Sequence, residues 1–168
     1  MASPTRADRP QVPEGYGVPE HTDGLVEWST VEARLVEARH YWLATVRADG
    51  RPHVVPRWGV WLDGALHYDG SPDTVHARNA EGNAACTLTI GEGADAVIVE
   101  GHSRRSAPVV GELGARIAAA IGDKYGDDGY HPEPDAWSDA EAGGLRIITP
   151  TKAMAWFSFP GDLTRFHF

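Results

Sequence analysis

Two β-rich runs lie close together in this chain, Tyr41 to Val46 and His53 to Trp61, joined by the turn Ala48-Asp49-Gly50. Asp-Gly between such runs is a strong hairpin signal, and a hairpin makes antiparallel neighbours. The pattern then repeats. Leu62-Asp63-Gly64 turns into a third strand from Ala65 to Asp69, and Ala84 to Ile90 and Ala96 to Gly101 form a hairpin around Gly91-Glu92-Gly93. Leu145 to Ile148, Lys152 to Phe159 and Leu163 to Phe168 read as closing strands. Strands linked by hairpins, with no crossover helix between them, point to an antiparallel barrel with added helices.

The helices are few. Ser29 with Glu32 fits a capping box ahead of the stripe Val31, Leu35 and Ala38. Ser71-Pro72 opens a short helix running to about Glu81, with Ser71 as cap and Pro72 at its first position. Pro108 starts a longer one, striped by Val110, Leu113, Ile117 and Ile121. Residues 122–144 read as a surface connection, and residues 1–27 as a proline- and glycine-rich extension that is flexible or lies on something else. The domain proper is 28–168, and 168 residues suffice for one core but not for two ordinary domains.

The run His53 to Trp61 carries the most information about function. Alternation places Val54, Pro56, Trp58 and Val60 on the core face, leaving His53, Val55, Arg57, Gly59 and Trp61 on the other. Pro56 has no N–H for a ladder, so the strand is interrupted, bulged or at an edge there. Such a face suits a flat ligand or a second subunit; a solvated strand with a chance proline is the plainer alternative.

Composition removes several classes of function. A formal charge of −9 opposes nucleic-acid binding, which needs a cationic surface. The lone Cys86 excludes an internal disulfide framework, and in an apolar strand it reads as a small core residue. Met1 to Pro10 lacks the apolar run of a signal peptide and no stretch is apolar for long enough to span a bilayer, so a cytoplasmic location without membrane contact is expected. Eight histidines show no zinc-like spacing, and neither a nucleophile elbow nor a phosphate-binding glycine loop is present.

Taken together, Tyr41-Trp42-Leu43-Ala44-Thr45-Val46, Asp49-Gly50-Arg51-Pro52-His53-Val54-Val55-Pro56 and Trp58-Gly59-Val60-Trp61 resemble the pyridoxamine-phosphate-oxidase-like split β-barrel superfamily. The likeness is greatest to its actinobacterial flavin- and deazaflavin-dependent oxidoreductases. Ala77-Arg78-Asn79, Val99-Glu100-Gly101 and the ending Thr164-Arg165-Phe166-His167-Phe168 extend the resemblance over roughly 28–168. It implies a homodimer with cofactor sites at the subunit interface, binding deazaflavin F-420 or FMN, or in some branches haem, and acting on a small-molecule substrate. It implies a ring against the backbone of His53, Val54, Val55, Pro56, Arg57 and Trp58. Phosphate contacts would come from Ser71, Thr74, His76, Arg78 and Asn79, and Trp156 would approach the partner's site. His76 stands where relatives carry a basic residue, often lysine, and Thr74 where arginine or serine is common, so the phosphate site is weakened. No catalytic acid or base is evident. The resemblance leaves open a non-catalytic carrier of a cofactor, haem or lipid-like ligand, and a cofactor-free dimer in which His53, Arg57 and Trp61 make subunit contacts.

Overall fold

A computed structural model describes residues 3–139 and 144–168. Its strands are β1 (Arg6–Asp8), β2 (Tyr41–Val46), β3 (Pro52–Arg57), β4 (Val60–Leu62), β5 (Ala65–Asp69), β6 (Ala85–Gly91), β7 (Ala96–Arg105), β8 (Leu145–Trp156) and β9 (Thr164–His167). Its helices are α1 (Trp28–Glu37), α2 (Val75–Gly82) and α3 (Gly111–Tyr125). All pairings are antiparallel, in the order β1-β9-β8-β7-β6-β2-β3, with β5 joining β8 and β4 joining β5. This is the expected mainly-β split barrel with added helices.

The split is made by β8, a single strand where two were expected. Its first half, Leu145 to Ile148, pairs with β5, and its second, Lys152 to Ala155, pairs with β9. Opposite β7 the register slips at Glu100/Gly101, leaving Thr151 without a partner between Pro150 and Lys152. Gly101 is required there, because a Cβ would lie 2.3 Å from the Thr149 carbonyl oxygen.

The core has two parts. Val31 and Leu35 of α1 pack with Tyr41, Leu43, Leu88, Val99 and Phe166, while Ile117, Ile121 and Tyr125 of α3 pack with Val60, Trp137 and Leu145. Each fully buried aliphatic side chain of this set stabilises the fold by roughly 1.5–3 kcal/mol.

Several expectations need correction. No side-chain cap forms on α1; Glu32 instead accepts from the Trp61 indole at 3.1 Å, and Trp61 is a core residue 4% exposed. The helix expected from Pro108 starts at Gly111, and Val110, expected in its buried stripe, precedes the helix and is exposed. It then runs on to Tyr125, inside the expected surface connection, and Trp137 of that connection is buried. Residues 140–143 of the connection lie outside the described residues. Within the N-terminal extension, β1 adds to the sheet beside β9, and Arg9 donates to the Leu163 carbonyl at 2.8 Å. No helix among the described residues is long and apolar enough to cross a membrane.

Candidate cofactor site

The strand predicted to be most informative is reversed in orientation. Val54 and Trp58 are 56% and 38% exposed and Pro56 is exposed too, while His53, Val55 and Arg57 are half-buried. Residues opposed across an antiparallel pair share a face. Here Tyr41, Leu43 and Thr45, all buried, oppose Arg57, Val55 and His53. The core-facing side of β2 therefore decides the orientation of β3, overriding the apolar character of Val54, Pro56 and Trp58. The run also ends early, at Arg57, and Trp58-Gly59 separate it from β4. Among the described residues β3 pairs only with β2, so Pro56 stands in an edge strand.

The outer face of this sheet is apolar at its β2–β3 edge. Pro56, Trp42, Thr89, Ile98 and Met154 form one cross-strand row, and Val54, Ala44, Thr87, Glu100 and Lys152 the next. Trp42 and Val54 are both more than half exposed, and the charges in the second row pair with each other, Lys152 to Glu100 at 2.7 Å.

Between the β2–β3 hairpin and α2 lies a cleft of about 720 Å³. Arg47, Arg51 and Arg78 line it, with Asn79 and a single carboxylate, Asp49. Asp49 holds Arg51 at 2.7 Å, whereas Arg47 contacts the His53 ring and Arg78 donates to the Asp73 carbonyl. Asn79 is anchored to Thr45 Oγ1 at 3.0 Å, which fixes α2 against β2. In an acidic chain, three guanidiniums against one carboxylate make a local anion-attracting surface. Arg47 and Arg51 were missed by the sequence reading, although basic residues on both sides of Asp49-Gly50 were visible in it.

The start of α2 also differs from expectation. The helix begins at Val75, after Thr74, and neither Ser71 nor Thr74 gives a side-chain cap. Ser71 instead closes the preceding turn: its carbonyl accepts from Thr74 N and Thr74 Oγ1, and its hydroxyl accepts from Asp73 N at 3.1 Å. With the Thr74 hydroxyl hydrogen spent on Ser71, the His76 Nε2–H is the donor in the 3.3 Å contact to Thr74 Oγ1. His76 is only 3% exposed, and burial, with Arg57 and Arg146 nearby, pushes its pKa down to about 4. It is a neutral, inward-facing dipole at neutral pH, beside the Tyr68 ring at 5.9 Å.

Arg57 reaches from β3 to the end of β5, where its Nη2 donates to the Asp69 carbonyl, and its guanidinium lies 5.6 Å from the Tyr68 ring centre. Gly70 permits this approach: its φ is +148°, and a Cβ would come within 2.9 Å of Arg57 Nη2. Behind Tyr68 runs a chain that is buried up to Arg146 and ends at exposed Glu81: Tyr68 hydroxyl to Ser103 at 2.7 Å, and Arg146 to Ser103 and Glu81 at 3.2 and 2.7 Å. The Asp69 carboxylate turns to the expected surface connection, accepting from the Tyr130 hydroxyl and from Trp137 Nε1 at 3.4 Å.

One chain thus brings together the inner side of β3, the 70–74 turn and α2. Trp156 is elsewhere, four strands from β3 in the sheet, with its indole donating to the Gly93 carbonyl at 3.2 Å. Cys86 is buried, and burial pushes its thiol up to about 11, away from the thiolate form that reacts. No group of three or more His, Cys, Asp or Glu that would hold a metal ion occurs among the described residues.

This fold is shared with known proteins. Residues 29–148 match the family pattern described as pyridoxamine 5'-phosphate oxidase, and the chain belongs to that family. An F420 reductase is similar in structure, with 25% identity, a TM-score of 0.56, and 84% of this chain and 98% of that chain covered. A haem-binding protein from Mycobacterium smegmatis (18%, TM-score 0.61) and HutZ, a haem storage protein from Vibrio cholerae (21%, TM-score 0.55), share the fold. They cover 81% and 75% of this chain, which itself spans 56% and 90% of theirs. No curated protein matches the chain in sequence.

Proposed function

We propose that the protein is a cytoplasmic homodimeric oxidoreductase holding a flavin-type cofactor, deazaflavin F-420 or FMN, and acting on a small organic substrate. The observation that carries this reading is the arginine cleft beside α2, in the region where the family resemblance implies the cofactor phosphate. Arg47 and Arg78, with the N–H groups at the start of α2, supply the donors an anionic cofactor end needs. Ser71 and Thr74 are committed to the turn and support its shape, while the neutral, buried His76 adds no charge. The cleft therefore uses arginines of the hairpin and of α2 in place of the family's usual basic residue. Its cationic excess favours F-420, the more anionic of the two.

From the cleft, β3 leads the ring system along the backbone of His53 to Pro56. When bound, such a cofactor supplies the hydride chemistry, and this chain's part is to bind, orient and keep water from the ring. The apolar rows through Trp42 and Val54 are the face for the second copy. Trp156, remote from β3 in its own chain but bordering this face, then comes near the partner's site.

A carrier of haem is the second reading, favoured by His53, whose ring contacts Arg47 of the cleft at 3.4 Å and offers a ligand nitrogen beside cations suited to propionates. Absorption of the purified protein and titration with FMN, F-420 and haemin separate the two. Binding of either flavin supports the oxidoreductase reading, and haemin binding alone supports the carrier.

A further inference from the structure

A second polar cavity, of about 440 Å³, opens at the other end of β3, lined by Pro56, Arg57, Trp58, Asp69 and Tyr130. Building on the flavin-type reading above, we propose that this cavity is the substrate subsite and that it takes a planar aromatic monocarboxylate.

The ring platform is Trp58. Its indole stacks on Tyr125, with centroids 4.7 Å apart and planes 7° apart, and its Nε1 donates to His40 Nε2 at 3.2 Å. Held on one side and at its edge, it still leaves 38% of its surface open. An aromatic surface fixed in advance binds a ring with little loss of side-chain freedom. Tyr130, 6.1 Å away and tilted by 42°, forms the adjoining wall.

The charge is set by Arg57. It donates to a main-chain carbonyl, its Nε is buried with no partner, and no carboxylate pairs with it among the described residues. A half-buried cation without a counterion is unfavourable, and a ligand carboxylate relieves it in the planar fork geometry arginine prefers. Asp69 also lines the cavity, and its negative charge, although bonded to Tyr130 and Trp137, opposes a phosphate dianion more than a monoanion. The volume is in the range of small-molecule sites. β3 spans about 17 Å at roughly 3.3 Å per residue, which places the cofactor's anionic end and the substrate at opposite ends of one strand.

The test is calorimetric titration of the full-length protein with 2-naphthoate, 2-naphthamide and 2-naphthyl phosphate. The wild type is expected to bind the carboxylate at least about tenfold more tightly than either of the others, as one charge-assisted fork implies. Arg57→Gln abolishes the preference over the amide, and Trp58→Leu weakens acid and amide alike. Equal binding of the three by the wild type, or an unchanged preference in folded Arg57→Gln, overturns the proposal. The wild-type order stands by itself should a variant fail to fold. FMN and F-420 titrations on the same protein separate the two readings. Flavin binding without naphthoate preference sinks the subsite alone, and naphthoate preference without flavin binding supports the subsite while removing the cofactor.

Discussion

Arg57 meets Asp69 at its main-chain carbonyl, not at its carboxylate, which is taken by Tyr130 and Trp137. Although the two residues touch, no ion pair forms between their side chains. The guanidinium is left for something else, and the carboxylate is used to pin the 129–139 segment over the end of β5. This division of labour is what makes the end of β3 a site and not a closed ion pair.

The arginine cleft makes an electrostatic prediction. Hydrogen bonds to a charged group contribute about 1.5–3 kcal/mol, so Arg78→Ala and Arg47→Ala should each weaken F-420 or FMN binding by about tenfold or more. Arg51→Ala should cost less, because Asp49 already holds that side chain. Binding should also weaken between 50 and 500 mM salt, by about the factor screening of exposed charges allows. Fluorescence titration of the three variants at both salt concentrations checks all of this.

The outer face predicts the oligomer. Val54→Glu combined with Trp42→Glu places one like charge in each of the two rows while leaving the buried side of β2 untouched. Sedimentation should show a dimer for the wild type and a monomer for the double variant, with unchanged circular dichroism. A wild-type monomer would remove the shared site.

Tyr125 joins the two ends of the β3–β4 junction. Its hydroxyl contacts the carbonyls of Arg39 and Gly59 at 2.8 and 2.9 Å and accepts from Gly59 N at 3.0 Å. Tyr125→Phe leaves the Gly59 N–H and the Arg39 carbonyl without this partner, while the Gly59 carbonyl keeps Lys124 Nζ at 3.4 Å, at a cost of about 1–3 kcal/mol of stability. Urea denaturation should show that loss with little change in the slope, since the ring and its stack on Trp58 are retained.

His76 predicts a pH dependence. Its folded pKa of about 4 is below the ordinary 6.5, so between those values the unfolded chain binds more protons than the folded one. Stability is therefore full above about pH 6.5 and falls as pH is lowered toward 4, by up to on the order of 3 kcal/mol. His76→Gln should flatten the melting temperature between pH 6.5 and 4. An equally steep fall in the variant would assign the effect to other groups.

The barrel was legible because hairpin signals are local: Asp49-Gly50, Asp63-Gly64 and Gly91-Glu92-Gly93 each mark a turn that the structure has. The orientation of β3 was not, because Val54 and Pro56 are apolar for a surface that alternation alone reads as core. Only the pairing of Val55 with buried Leu43 reveals which side faces in. The caps failed for a related reason. Ser29 lies inside a helix that starts at Trp28 with Glu27 at the cap position, leaving Glu32 to Trp61, and the Ser71 hydroxyl is used by Asp73 N in the turn before Thr74. Tyr130 and Trp137 gave no signal at all, since they lie in a glycine- and acid-rich stretch whose contact with Asp69 spans more than sixty residues.

The most direct measurement is a titration of the dimeric, full-length protein with F-420 and with FMN at low salt, followed by fluorescence, alongside Arg78→Ala. The account predicts saturable binding at one cofactor per protomer, tighter for F-420 and weakened about tenfold or more by the substitution. Failure of both flavins to bind, or affinity untouched by Arg78→Ala together with Arg47→Ala, would contradict it.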